Sequence, residues 1–172
     1  MEFDDILMAC VPAVIVATIC YLLISQFLRA ESKRHILEIN RETTKFTTPV
    51  KMQAFERVIL LLERIDPIEV VNRVMKPGMT CGQVKLLALA EIKQEFNHNI
   101  TQQLYVSGAA WEQVKTTKDD AIKLITVTST QVPDQLPAIE FSKKLVAVQT
   151  ELNARSNVIA LEVVKKEARK IF

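Results

Sequence analysis

The densest run of side chains able to do chemistry lies between residues 91 and 118: Glu91, Glu95, His98, Asn99, Gln102 and Gln103, then Lys118. Glu95-Phe96-Asn97-His98 has the Glu-x-x-His spacing with which helical bundles hold paired metal ions. Such a centre needs a second copy of the motif and two further carboxylates, and the chain has only one other histidine, His35. A carboxylate, an imidazole and an amine are also the materials of acid–base catalysis. Glu95, His98 and Lys118 are therefore the residues of an enzymatic or metal-binding alternative. A simpler assignment is structural. At ~100° per residue, with Phe96 facing the core, Leu89, Ile92, Ile100 and Gln103 share its face. Glu91, Glu95, His98, Asn99 and Gln102 then form a flanking polar stripe. This half-buries Gln103 and nearly buries Asn99, and a buried amide without a partner costs roughly 1–3 kcal/mol. The expected partner is a neighbouring helix, so the cluster is read as a structural or docking site, with no catalytic residue, cofactor or metal.

Lys118 poses a related problem. It falls in the middle of an apolar face formed by Trp111, Val114, Ile122 and Ile125. An unpaired buried ammonium is costly, so Lys118 should snorkel to solvent or pair with a carboxylate. Glu95 or Glu91 is the expected partner, because the short Leu104-to-Ser107 connection folds the two helices together. Glu56, Arg57, Glu63 and Arg64 recur seven residues apart and read as solvated or inter-helix ion pairs.

The elements that must position these residues are helices throughout. Val50, Ala54, Val58, Leu61, Leu62 and Ile65 form a stripe at helical spacing, widened by Phe55 and Ile59. Thr48 as N-cap and Pro49 at the first helical position mark its start, after a linker at Thr43–Thr48. Asp66-Pro67 opens a short helix that Pro77-Gly78 stops. Thr80 with Gln83 forms a capping-box pattern ahead of a long helix to about Gln103. Ser107 is the N-cap candidate for a helix over 108–128, Pro133 and Pro137 bound a loop, and 138–152 and 157–171 are helical. No convincing alternating strand appears. The expectation is an all-α bundle of about five to six helices over residues 48–172.

The amino-terminal part has a different character. Ile6 to Phe27 contains no charged residue. At ~1.5 Å per residue it spans roughly 33 Å, enough for a ~30 Å hydrocarbon core. Glu2, Asp4 and Asp5 precede it, whereas Arg29, Lys33, Arg34, Arg41 and Lys45 follow. That asymmetry places the amino end outside and the rest in the cytoplasm. The acidic start and the length of the run fit a signal peptide poorly. Residues 1–5 are thus read as a short external terminus and 6–28 as a transmembrane helix. Residues 29–47 are read as a juxtamembrane helix and linker, in which Arg29, Lys33 and Arg34 are candidate lipid-headgroup contacts.

Composition narrows the remaining choices. The net charge is only +2 on 172 residues, with acids interspersed among the bases, which argues against a nucleic-acid-binding face. Cys81 is the one cysteine beyond the apolar run, so neither a disulfide framework nor a cysteine-based zinc site is expected. The chain has three glycines and neither a GxxxxGK[ST] nor a GxGxxG pattern, which disfavours nucleotide-driven chemistry by the familiar routes.

The stretches Met52–Pro67 (MQAFERVILLLERIDP), Glu95–Ser107 (EFNHNITQQLYVS) and Ala110–Lys115 (AWEQVK) resemble the core blocks of a protein family. It is a family of uncharacterised single-pass membrane proteins of the Bacteroidota, and the likeness runs to the closing Glu167–Phe172. The resemblance implies a bacterial inner membrane, a periplasmic amino terminus and a cytoplasmic bundle. It carries no catalytic residues, because the family has no assigned activity. The functional expectation is a non-enzymatic accessory or scaffold subunit docking onto a larger membrane complex, with export or envelope assembly as the process. A membrane-tethered enzyme and a self-associating organiser are the alternatives, the last with a homo-oligomer as its partner.

Overall fold

The computed structural model describes the backbone of residues 3–152 and 156–171, and side chains from residue 15 onward apart from 30, 32, 33, 35–37, 39, 40, 153–155, 171 and 172. The described residues form six α-helices: α1 (Phe3–Arg64), α2 (Pro67–Val74), α3 (Cys81–Asn99), α4 (Gly108–Thr130), α5 (Ala138–Glu151) and α6 (Ser156–Ala168). Two 3-10 turns, Ile100–Leu104 and Arg169–Ile171, complete an all-helical fold. The chain divides into two units, Met1–Thr47 and Thr48–Phe172.

The first unit is helical from Phe3. Ile15, Val16, Ile19, Tyr21, Leu22, Leu23, Ile24, Phe27 and Leu28 are each more than half exposed. Tyr21 to Ile24 are consecutive, so this apolar exposure goes right round the helix. Among the described residues no helix is long and apolar enough to cross a membrane. The side chains at positions 6–14 of the expected transmembrane segment lie outside the described residues. Arg29 and Arg34 are exposed, and the Lys33 side chain also lies outside the described residues. The linker expected at Thr43–Thr48 is helical instead, and α1 passes through Pro49 without a break. Proline removes one helical N–H and frees the carbonyl four residues back. That residue, Lys45, is exposed, so its carbonyl lies where water can reach it. Threonine's modest helix propensity is only a weak prior against this.

In the second unit the apolar residues turn inward. Ala54, Phe55, Val58, Leu61, Leu62 and Ile65 are buried, whereas Val50, expected in the same stripe, is 45% exposed. Full burial of a side chain such as Leu61 or Ile65 contributes about 1.5–3 kcal/mol. Asp66 caps α2 by accepting from the Ile68 and Glu69 amides, with Pro67 in the first turn. The connection beyond α2 turns at Gly78, whose φ of 84° suits glycine. Thr80 and Gln83 form the capping box: Thr80 Oγ1 accepts from the Gln83 amide, and Gln83 Oε1 from the Thr80 amide. Ser107 caps α4 through Ala110. Helix α4 is central, packing against α3, α5 and α6 and more lightly against α2. Its Trp111, Val114, Ala121, Leu124 and Ile125 meet a core that includes Phe141, Leu145, Val148, Ala160, Leu161 and Val164.

The α4–α5 connection crosses the amino end of α3. Cys81 N donates to Leu136 O at 2.8 Å, Gly82 N to Asp134 O at 3.1 Å, and Ala138 N to Met79 O at 2.9 Å. Helix-start amides lack intrahelical partners, and this strap supplies two. Thr80 and Pro137 form an isolated antiparallel bridge there. A Cβ on Gly82 would lie 3.1 Å from the Asp134 Cβ, a tight approach that a larger residue could meet only by moving the Asp134 side chain.

Candidate functional site

Helix α3 presents the polar cluster. Cys81, Val84, Ala88, Ile92, Phe96 and Asn99 are its buried positions, which leaves Glu91 and Glu95 half-buried on the flank. Both meet arginines from preceding helices. Arg64 Nε, at the end of α1, lies 3.1 Å from Glu95 Oε2. Arg73 of α2 reaches Glu91 Oε1 at 3.3 Å and donates to the Arg64 carbonyl at 3.0 Å. Asn99 Nδ2 donates to the Glu95 carbonyl at 3.0 Å and to Glu95 Oε1 at 3.4 Å. The result is a charge-balanced ladder of two guanidiniums and two carboxylates joining the ends of α1, α2 and α3. The Arg64 side chain is 52% exposed, so solvent screening holds that pair to about 1 kcal/mol or less.

This geometry corrects the pairing expected for Lys118. Its Nζ lies 2.8 Å from Asp119 Oδ1, and neither Glu91 nor Glu95 is its ion-pair partner. The ammonium also sits 4.9 Å from the centre of the Phe96 ring, which stacks on Trp111 at 5.6 Å. Lys118 thus keeps its charge at the rim of the apolar face through an aromatic surface and an exposed neighbour, an arrangement worth roughly 0.5–1 kcal/mol.

The amides are corrected as well. Gln102 is buried and Gln103 exposed, the reverse of expectation. The cause is the change at Ile100 from α-helix to 3-10 helix, which advances ~120° rather than ~100° per residue and turns Gln102 onto the face of Asn99. Gln102 Nε2 donates to Thr101 Oγ1 at 3.4 Å. His98 is exposed, while both Glu95 oxygens are engaged by Arg64 and Asn99. Among the described residues no group of three or more His, Cys, Asp and Glu side chains is placed to hold a metal ion. What the cluster does chemically is neutralise charge between helices.

Two features were not singled out from the sequence. A cleft of about 540 Å³ is lined by Met75 to Thr80 on one side and by Gln135 and Pro137 to Ile139 on the other. Its sequence signal is two proline-bearing loops, but their meeting depends on the bridge between Thr80 and Pro137. Beside it, buried Cys81 donates its thiol to the Pro137 carbonyl at 3.2 Å. Burial pushes this thiol above its ordinary value of 9.0, and the Glu140 and Asp134 carboxylates push the same way. The second feature is a clasp in which Glu167 accepts from both the amide and the hydroxyl of Ser107, fastening the end of α6 to the start of α4.

No curated protein and no solved structure matches the chain. A family model matches residues 1–171, taking in the apolar run, the ladder and the cleft alike, so the chain belongs to the family described as "Family of unknown function (DUF7935)".

Proposed function

We propose that this protein is a membrane-anchored, non-enzymatic accessory or scaffold subunit that docks onto a larger membrane complex. One observation carries the reading: the large apolar side chains from Ile15 to Leu28 are exposed on every side of α1. An apolar surface of this kind is unfavourable in water and is the ordinary state of a helix in hydrocarbon. With the uncharged positions from Ile6 onward included, the run has the length of a span. The charge asymmetry across it supports a periplasmic amino terminus and a cytoplasmic carboxyl-terminal unit. The resemblance to Bacteroidota proteins favours a bacterial inner membrane.

The docking part of the reading is supported by how the polar cluster is used. Glu91, Glu95 and Asn99 are engaged with other helices or their own backbone. That leaves His98, Gln103 and Leu104 exposed beside them, and the apolar cleft as a second contact surface. Export or envelope-assembly machinery is the partner class we propose. The test is native co-purification: tag the carboxyl terminus, extract in mild detergent and identify what accompanies the chain in stoichiometric amount. A defined membrane assembly is the expected result. A chain recovered alone overturns the reading and turns attention to Glu95, His98 and Lys118.

A further inference from the structure

We propose that one end of the second unit docks on an anionic lipid surface, through Lys166, Arg169 and Lys170 with Leu104 and Tyr105 beside them. Four of the six residues from 165 to 170 are Lys or Arg. Even with Glu167 counted against them, their charge exceeds the +2 of the whole chain. Lys166, Arg169 and Lys170 are exposed and stand three or four residues apart, on one face where α6 runs into the closing 3-10 turn. No acid answers them: among the described residues none of the three is in an ion pair, and neither is Glu162 one turn earlier. The Glu167 carboxylate is turned to Ser107 instead, accepting from its amide and its hydroxyl.

That clasp decides what lies next to the bases. It brings the α3–α4 connection to the same end of the bundle, where Leu104 is 78% and Tyr105 40% exposed. Val106 between Tyr105 and Ser107 is buried, so the tip is pinned from inside while its two large side chains face outward. Bases beside an exposed leucine and tyrosine match the layers of an anionic bilayer surface. Lysine and arginine meet the headgroup phosphates, tyrosine suits the interface, and leucine reaches the acyl boundary beneath. A nucleic acid or an acidic protein would engage the bases and leave Leu104 without a role. Cations at a helix end also complement its dipole, which accounts for bases there but not for the apolar tip. The site goes beyond the docking reading: it gives Leu104 a lipid neighbour and leaves His98, Gln103 and the cleft to a protein partner.

The test uses the full chain with dansylalanine in place of Leu104, reconstituted in nanodiscs of phosphatidylcholine alone or mixed equally with phosphatidylglycerol. A blue-shifted emission is expected in the anionic discs only, and it should revert in roughly 0.5 M salt. Lys166→Gln, Arg169→Gln and Lys170→Gln together should abolish the shift, whereas Lys166→Arg with Lys170→Arg should keep it. Dansylalanine in place of Leu86, which is exposed nearer the start of α3, should read the same in both lipids. An unshifted spectrum at position 104, a shift that survives the triple substitution, or an equal shift at position 86 overturns the site. So does a shift on adding polyglutamate to the neutral discs, which assigns the patch to an acidic protein. A chain that does not enter the discs refutes the anchor alone, and the same two lipids added as vesicles then give the same reading of the site.

Discussion

Leu22 and Leu23 on α1 are 52% and 62% exposed, while Leu61 and Leu62 on the same helix are fully buried. The residue type and the secondary structure are the same, so neither decides where an apolar side chain ends up. Around Leu61 and Leu62 the sequence alternates apolar with charged residues at helical spacing, and both side chains join the buried hydrophobic core of the second unit. From Ile6 to Phe27 no polar face exists to turn outward, and a helix apolar all round needs an apolar surrounding. The contrast teaches that sequence pattern around a leucine, not the leucine itself, sets its exposure; the reading proposed above assigns water to the second unit and lipid to the first.

Substitutions sharpen that contrast. Phe141 is 1% exposed at the centre of the second unit, and Phe141→Ala should cost about 3–5 kcal/mol. Leu22→Ala, by contrast, should leave the melting of the second unit unchanged. Thermal unfolding of the detergent-solubilised chain, followed by circular dichroism, reads both, and a comparable loss in Leu22→Ala would break the comparison. Gly82→Val comes next. The new side chain must push into the Asp134 side chain, an overpacking worth about 1–3 kcal/mol, and the same melts should show it.

Cys81 gives a smaller, pH-dependent effect. Its folded thiol titrates above the ordinary 9.0, so the folded state holds the proton longer than the unfolded chain. The stability linked to it is full below about pH 9 and is lost as the pH rises through the folded value. Melting curves in alkaline buffers should show this fall, and Cys81→Ala should flatten it. The smallest effect is expected at Lys118. With an exposed aspartate as ion-pair partner and one aromatic ring beneath it, Lys118→Met should shift stability by less than about 1 kcal/mol. A loss of several kcal/mol would instead indicate a buried ion pair.

The local signals were legible because they act within one turn of chain. Asp66-Pro67, the Thr80–Gln83 box and the Ser107 cap all sit at helix starts in the structure, since each depends on side chains bonding to amides two or three residues away. The partners of Glu95 and Lys118 were not legible in the same way. Which helices flank α3 is a matter of topology, and the arginines of α1 and α2 that reach it lie far off in sequence. Gln102 and Gln103 exchanged roles because a one-turn change of helix type at Ile100 rotates everything after it. The cleft and the strap over α3 depend on two loops meeting across more than fifty residues, and composition holds no trace of that.

The central claim is that the first unit is solvated by lipid, and alkaline carbonate extraction of membranes from expressing cells tests it most directly. The account predicts that the chain stays with the membrane pellet, and that Leu22→Arg with Leu23→Arg releases it while the second unit melts as before. Recovery of the unaltered chain in the supernatant would contradict the claim and remove the basis for the docking proposal.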